Sequence, residues 1–414
     1  MRKFNDLLKF TWKRFSVWIL LVTVFCTMAV GISSQNSIEN DYNNFTGNVL
    51  NMRENLDGKK HNEDIIINEE SLDQIKIETL KYKDKYKLLD FDEVYSLNVP
   101  GQVQDDYFER LEENGGYDAH YIYNSIMNFL KRFEDGGYNG SSYYQGLIFP
   151  IVVFIGLFGL SLTSLEQSLA IYDFTRLMPW KKKDELLMKI GIVFLFAMVI
   201  FAINALVLAF ILKASAFGQV ISFSLIGRQI FRNILIFFAT SIISTSLGFI
   251  AGNFLGHIGL FIMTLTGFAL YRENLNMTLQ VFSRDFADKI YDAIGNFEKS
   301  LHPFIKTLIS ITYMKVDNIV TILAFMLVAV MIFFLALYLS KNQSSERSGY
   351  MILNDKLAVF CKLLASLTLA NLMTSLLASL FVQNMSPVII IIFILALLIS
   401  YKFFDMLFKI KLKF

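Results

Sequence analysis

The side chains with most capacity for chemistry lie in one stretch, residues 164–190, which reads SLEQSLAIYDFTRLMPWKKKDELLMKI. Long apolar runs flank it on both sides. Its basic residues are Arg176, Lys181, Lys182, Lys183 and Lys189, and its acidic residues are Glu166, Asp173, Asp184 and Glu185. Pro179 interrupts what would otherwise be a continuous helix. We predict a polar hinge between two membrane spans, on the cytoplasmic side because positive charge near span ends marks that side.

The elements that must position this hinge are membrane helices. The chain has 414 residues, 54% of them hydrophobic, and 40 are Phe; an ordinary soluble protein has about 45–50% apolar residues. A helix crosses a bilayer with ~17–25 apolar residues. Eight runs reach that length: 15–32, 147–165, 188–212, 230–249, 254–271, 319–339, 357–381 and 388–404. The sequence therefore predicts an all-α polytopic membrane protein with about eight transmembrane helices.

A polar insert, 33–146, separates the first two spans. It holds 22 Asp and Glu against 11 Lys and Arg, whereas the rest of the chain is basic. An acidic block is translocated more readily than a basic one, so the insert is predicted to be extracellular. Turn signals end two predicted helices, 103–113 and 117–133. The start, 35–60, is predicted to be loose, and 65–67 and 75–77 fit short strands as well as helix, so a small α or mixed α/β fold is expected.

Residues 1–14 are predicted to form an amphipathic helix on the inner membrane surface, followed by the first span. A cleavable signal peptide is the alternative, because Ala29-Val30-Gly31 resembles a cleavage site. Spans two to five cover 147–271, with the cytoplasmic loop at 166–187. Spans six to eight cover 318–409, and the tail 410–414 returns to the cytoplasm, so both termini are predicted to be cytoplasmic.

The connection 272–317 shows apolar residues every three or four positions, and Pro303 breaks the pattern. This predicts a strongly amphipathic helix pair. By parity it lies outside, resting on or dipping into the outer interface. A helix packed against the acidic insert is the alternative, because periodicity does not separate the two.

Several kinds of chemistry are missing from the sequence. There is no GxxxxGK[ST] loop, HExxH or GxSxG motif, and the four histidines match no metal-ligand spacing. We expect no enzyme activity and no cofactor in this chain. Span interiors lack charged side chains, which ion-coupled carriers usually retain despite a cost of at least ~2.5–3.5 kcal/mol. The expected cargo is apolar or amphipathic.

Polar side chains within the spans are the candidates for a translocation pathway. Asn204 and Asn371 lie deep in spans three and seven, Thr245 belongs to a run of small and hydroxyl residues in span four, and Thr374 follows Asn371 by one turn. Such residues more often hydrogen-bond neighbouring helices than contact a substrate. Both interpretations stay open.

The arrangement resembles the type-2 ABC exporter permeases of bacteria. The resemblance rests on the amphipathic start, the external insert after span one, the hinge with Arg176-Leu177-Met178-Pro179 and Lys181–Lys183, and the amphipathic segment before span six. The segment Ser345-Glu346-Arg347-Ser348-Gly349 is similar to a Glu-x-x-Gly element of some Gram-positive permeases. The common unit of the family has six spans, and this chain has two more.

The resemblance implies that the hinge docks into a groove of a separate ATPase subunit. The residues assigned to that coupling are Tyr172, Arg176, Pro179, Trp180, Lys181, Lys182, Glu346 and Gly349. The implied partners are a dimer of ABC ATPase subunits, which would hold ATP and Mg, a second permease copy or homologous permease, and membrane lipids. No nucleic acid is expected. For each lysine, ordinary anchoring to the inner leaflet, worth ~1 kcal/mol per charge, is an equally good explanation.

The implied function is export of an amphipathic or hydrophobic cargo, such as a peptide, lipid or antimicrobial, across the cytoplasmic membrane. Frequent Lys, Asn, Ile and Phe fit an AT-rich Gram-positive source. The alternative is a membrane receptor or immunity protein whose acidic extracellular domain binds a ligand without transport. Eight spans are more than an anchor requires.

Overall fold

The computed structural model describes residues 2–90, 94, 101–113, 116–133, 137–169, 181–340, 349–381 and 387–412. The helices of the first half are α1 Arg2–Asp57, α2 Glu69–Tyr86, α3 Gly101–Glu113, α4 Tyr117–Leu130, α5 Ser141–Gly146, α6 Ile148–Leu162, α7 Ser164–Ser168 and α8 Lys182–Ala214. Those of the second half are α9 Phe223–Ile250, α10 Phe254–Phe282, α11 Arg284–Ser300, α12 Pro303–Ile309, α13 Ile319–Ser340, α14 Asp355–Phe381 and α15 Pro387–Lys409.

The predicted fold class is confirmed. Within the described ranges there is no strand, only isolated bridges between single residues. Eight helical stretches of the described chain are long and apolar enough to cross a membrane: Phe4–Asp57, Ser141–Ser168, Lys182–Ala214, Phe223–Ile250, Phe254–Phe282, Ile319–Ser340, Asp355–Leu380 and Pro387–Lys409. Large apolar side chains such as Phe25, Leu206 and Tyr338 are exposed along them, as expected of surfaces that face lipid.

The chain divides into two compact units. The first comprises Met1–Val17, Ile148–Ile200 and Phe231–Phe414, and the second comprises Trp18–Leu147 and Phe201–Ile230. The first unit therefore contains most of the spans and the two helical segments on either side of the predicted hinge, α7 and the start of α8, which we call the hinge flanks. The second unit contains the insert.

Helix α1 corrects two expectations. The predicted N-terminal helix is not separate from the first span, because α1 runs unbroken from Arg2 to Asp57, while its position on the inner membrane surface stays a prediction. The prediction of a loose start to the insert is also wrong, since the same helix runs on to Asp57. Between the span and its end, Ile38, Phe45, Val49 and Met52 recur at helical spacing and are buried. Helix α1 stops only where Gly58 adopts φ +72° and its N–H bonds to the Glu54 carbonyl.

The insert packs as a helical domain against the second half of α1. Phe45 of α1 stacks on Phe129 of α4, with ring centroids 4.3 Å apart. Asn55 of α1 donates to the hydroxyl of Tyr82 in α2 at 2.9 Å. The segment 75–77 is helical, within α2, and 65–67 belongs to no helix or strand. Of the two folds left open for the insert, the described residues adopt the helical one.

Helix α10 is longer than predicted and changes direction at Gly267. That residue has φ +49°, ψ −132°, which is non-helical, and glycine reaches positive φ without steric cost. Helix α10 then continues to Phe282, past the predicted span end at residue 271. The amphipathic segment that follows forms α11 and α12, which meet at His302 and Pro303.

Helices α10 and α11 form a hairpin within the first unit. The Ser310 hydroxyl donates to the carbonyl of Thr266, beside the bend, at 2.9 Å. Arg272 of α10 pairs with Glu298 of α11, and its guanidinium lies 3.9 Å over the ring of Tyr291. Helix α11 therefore packs back along α10, while Phe286 and Phe297 stay exposed.

Candidate functional site

A buried charge network fixes the entrance to the predicted hinge. Glu166 of α7 accepts from Lys189 of α8 at 2.9 Å and from Arg14 of α1 at 3.2 Å. Lys189 also pairs with Glu185 at 2.9 Å. Glu166 and Lys189 are each only 5% exposed. Two carboxylates thus neutralise two cations, which matters because an unpaired charge in such a place is strongly destabilising.

The short helix α7 is held from a second side by α9 and α10. The Ser164 hydroxyl lies 2.9 Å from Nδ1 of His257, and Gln167 donates to the Gly248 carbonyl at 3.3 Å. The end of α6, which leads into α7, also lies close to α9: a Cβ at Gly159 of α6 would overlap Ser244, and a Cβ at Gly248 of α9 would overlap Thr163. Small residues let membrane helices pack this closely.

The far side of the hinge is fixed by Lys182, the first residue of α8. Its ammonium group donates to the carbonyl of Ser340, the last residue of α13. A lysine at a helix C-terminus satisfies a carbonyl that has no intrahelical partner. The adjacent Lys181 is exposed. The start of α8 is therefore anchored to the end of α13.

A third connection, 349–353, lies against the tight turn between α9 and α10. Gly349 donates to the Gly252 carbonyl at 2.9 Å, Gly252 donates to Met351 at 3.1 Å, and Leu353 donates to Ile250 at 3.1 Å. The Asn253 side chain also donates to the Gly349 carbonyl at 2.9 Å. Backbone pairing of this kind fixes the register of the two segments.

Gly349 also joins the end of the chain to this assembly. Its φ of +95° suits glycine, and its carbonyl accepts from the Leu412 N–H at 2.9 Å. The ring of Tyr350 lies 5.8 Å from the ammonium group of Lys411. Direct contacts thus link five parts of the chain: the N-terminal helix, the hinge flanks, the α9–α10 turn, the segment 349–353 and residues 411–412, which follow α15. We call these linked residues the hinge face: Arg14, Glu166, Lys182, Lys189, Asn253 and Gly349.

The hinge face contains some of the predicted coupling residues and not others. Lys182 and Gly349 belong to it, and Lys181 lies beside it. Tyr172, Arg176, Pro179, Trp180 and Glu346 lie outside the described residues. Every predicted coupling role stays a prediction.

The predicted pathway residues belong to different helices and to both compact units. Asn371 of α14 donates to the side-chain oxygen of Asn274 at 3.0 Å and lies within hydrogen-bonding distance of Thr278, both in α10. Thr374 bonds to the Ala370 carbonyl of its own helix at 2.8 Å. Thr245 is buried in α9 and Asn204 is buried in the other compact unit. Asn371 thus links two helices, and a contact with cargo stays a prediction.

Sequence reasoning missed the pairing of Glu166 with Arg14 and Lys189, although all three charges were visible. It also missed Asn274 and Thr278, which fell in a segment assigned to the outside. The four-residue spacing of Asn274 and Thr278 was a signal for a polar helix face, because residues four apart on a helix lie on the same side. Among the described residues no group of three or more His, Cys, Asp or Glu is arranged to hold a metal ion.

Comparison of this chain with family models, with curated proteins and with solved structures finds no match. A proposal for its function therefore rests on the geometry and on the sequence patterns.

Proposed function

We propose that this chain is the transmembrane permease subunit of an ATP-driven ABC exporter. It would move an amphipathic or hydrophobic cargo across the cytoplasmic membrane, and a separate ATPase subunit would supply the energy. The observation that carries the proposal is the hinge face. Five separate parts of the chain, all predicted to be cytoplasmic, are joined by a series of direct contacts that starts at the flanks of the hinge.

This arrangement is what coupling to an external motor requires. A push on the hinge would reach α1 through the Glu166–Arg14 contact and α8 through the Glu166–Lys189 contact. It would reach α13 through Lys182. Coupling passes through contiguous contacts between rigid elements, and three spans meet the hinge directly. A simple loop anchored to lipid would need none of these contacts.

The basic residues of the hinge support the proposal that a separate ATPase subunit docks there. Arg176 and Lys181–Lys183 would contact the ATPase, while Pro179 and Trp180 would fix the angle of the loop. The chain has no phosphate-binding loop of its own, so ATP and Mg belong to the partner in this account. The Gram-positive plasma membrane is the proposed location, with both termini cytoplasmic and 33–146 outside.

The experiment is double replacement of Arg176 and Trp180, R176Q with W180A, in the complex reconstituted with its ATPase. We expect ATP hydrolysis to continue while transport falls, because the docking residues would be lost and the spans left intact. A matched control replaces Arg284 and Phe286 of α11, R284Q with F286A, both exposed. Unchanged transport in the hinge variant would refute the coupling role.

A membrane receptor or immunity protein is the second candidate, and one observation favours it. The insert contains an open groove of about 450 Å³ lined by polar and aromatic side chains. A receptor needs such a groove, and an exporter does not.

A further inference from the structure

The groove of the insert lies between α1 and α4, with Phe108 of α3 and Arg132 also among its lining residues. The stacked rings of Phe45 and Phe129, both buried, contribute its apolar part. Its volume of about 450 Å³ falls within the roughly 300–1,000 Å³ typical of small-molecule sites. All of it belongs to the second compact unit. We define the groove by Asp41, Asn44, Tyr117, Tyr121, Asn124 and Asn128.

The charges that line the groove cancel. Asp41 accepts from Arg132 at 2.8 Å and from the Tyr143 hydroxyl at 2.6 Å. His120 is buried, and burial lowers its pKa, so its imidazole is neutral at physiological pH. Its two ring nitrogens lie 2.9 Å from the Tyr107 hydroxyl and 2.8 Å from Nδ2 of Asn124. The groove therefore offers no net charge to a ligand.

The groove offers a ligand amide and hydroxyl side chains that both donate and accept hydrogen bonds, and the flat rings of two tyrosines. One face of α4 contributes Tyr117, Tyr121, Asn124, Ser125 and Asn128, and Asn44 of α1 is also part of the lining. Asparagine and serine each provide donors and acceptors. Tyr117 and Tyr121 are 60% and 68% exposed, and residues one turn apart have Cβ atoms about 5–6 Å from each other.

We propose that this groove binds a short neutral saccharide. A sugar ring has hydroxyls that both donate and accept, which suits the amide side chains, and apolar C–H faces, which suit the tyrosine rings. Tyr117 and Tyr121 are one turn apart on α4 and both exposed, so each is available to stack on a different sugar ring of one saccharide. Charged ligands are disfavoured because Asp41 and Arg132 already neutralise each other. This inference does not depend on transport and holds whether or not the chain couples to an ATPase.

The test uses the full chain in lipid nanodiscs free of glycoside detergent, since a sugar headgroup would compete. The probes are chitotetraose, maltotetraose and cellotetraose, with the neutral peptide Ala-Gly-Ala-Gly for comparison, followed by calorimetry and saturation-transfer NMR. Tyr121→Ala and Asn128→Ala remove exposed groove side chains. Ile77→Ala removes an exposed side chain of α2 that does not line the groove.

We expect at least one tetrasaccharide to bind, and each groove variant to weaken that binding about ten-fold or more with an unchanged melting temperature. Ile77→Ala should bind like the unmodified chain. The proposal is overturned if no tetrasaccharide binds, if both groove variants bind as well as the unmodified chain, or if only the peptide binds.

Discussion

Glu166 and Lys189 lie 2.9 Å apart on α7 and α8, at the two flanks of the hinge, and both are almost fully buried. Glu166 also contacts Arg14 of α1, so one carboxylate connects three helices. A buried charge is retained only where partners compensate its desolvation. The pair therefore fixes α7 against α8 at the two flanks of the predicted hinge.

Removing the charge of Glu166 should destabilise the chain. In Glu166→Gln, Lys189 keeps Glu185 as a partner, but Arg14 loses the carboxylate that it contacts, so we expect the melting temperature to fall by several degrees. Loss of one partner of a buried ion pair costs about 3–5 kcal/mol. Asp184→Asn, which changes an exposed carboxylate nearby, is the control for thermal unfolding in nanodiscs. Equal melting temperatures for the two variants would contradict this role.

The contact between α10 and α14 should depend on Asn274 and Asn371 as a pair. A double-mutant cycle with Asn274→Ala and Asn371→Ala should give a coupling free energy between about 0.6 and 1.7 kcal/mol, as measured for hydrogen bonds between membrane helices. The control is Ser379→Ala on α14, whose hydroxyl bonds within its own helix. Additive effects of the two asparagine substitutions would show that the bond contributes nothing.

The segment 349–353 should be displaced by a methyl group at Gly256. A Cβ there would overlap the carbonyl oxygen of Met351, whereas one at Gly259 meets nothing within 4 Å. We expect Gly256→Ala to speed hydrogen exchange of the Gly252 and Leu353 amides, which bond across this contact. Gly259→Ala, on the same helix, is the matched control. If both variants exchange alike, the segment is not held in this way.

Two histidines of the insert should respond to pH with opposite signs. Burial lowers the pKa of His120, so the unfolded chain binds its proton first, and the insert loses stability as pH falls below about 6.5. The hydrogen bond to Asp57 raises the pKa of His61. The stability from His61 is therefore fully present below about 6.5 and is lost as pH rises through its raised pKa.

Isotope labelling of the histidine side chains allows the pKa values of His61 and His120 to be measured by NMR, since the chain holds only 4 histidines. His61→Gln and His120→Gln assign the two NMR signals, and each titration is followed between about pH 5 and 8. We expect the His120 midpoint below the His61 midpoint. The reverse order would refute the burial of His120 on which the neutral groove depends.

Hydropathy and helical periodicity were enough to predict the eight spans, because crossing a bilayer imposes a length and an apolar composition on each helix. The length of α1 was missed because Asn, Ser and Asp in 35–57 suggested a loop. Burial of Phe45, Val49 and Met52 outweighed those weak propensities. The bend at Gly267 was missed as well. The hydroxyl of Ser310, 44 residues from Thr266 along the chain, donates to the Thr266 carbonyl beside the bend.

The candidate site was predictable only in part. The excess of charge between 164 and 190 predicts a hinge, since charge interrupts apolar runs, and the described residues on either side of it include the buried pair Glu166–Lys189. Which charges pair was not readable, because Arg14 lies 152 residues from Glu166 along the chain. The segment 349–353 was equally hidden, since backbone hydrogen bonds to Gly252 and Ile250 leave no mark on side-chain composition.

Affinity capture from native membranes tests the proposed function most directly. The detergent-solubilised chain is compared with a variant whose residues 171–181 are replaced by a neutral linker, which leaves α8 intact, and with a control in which Arg284, Lys289 and Lys299 of α11 become Gln. Captured proteins are identified by mass spectrometry and assayed for ATP hydrolysis. We predict that the unmodified chain and the α11 control capture an ABC ATPase subunit and that the linker variant does not. Folded protein that captures no ATPase in any sample would contradict the permease account and favour a receptor.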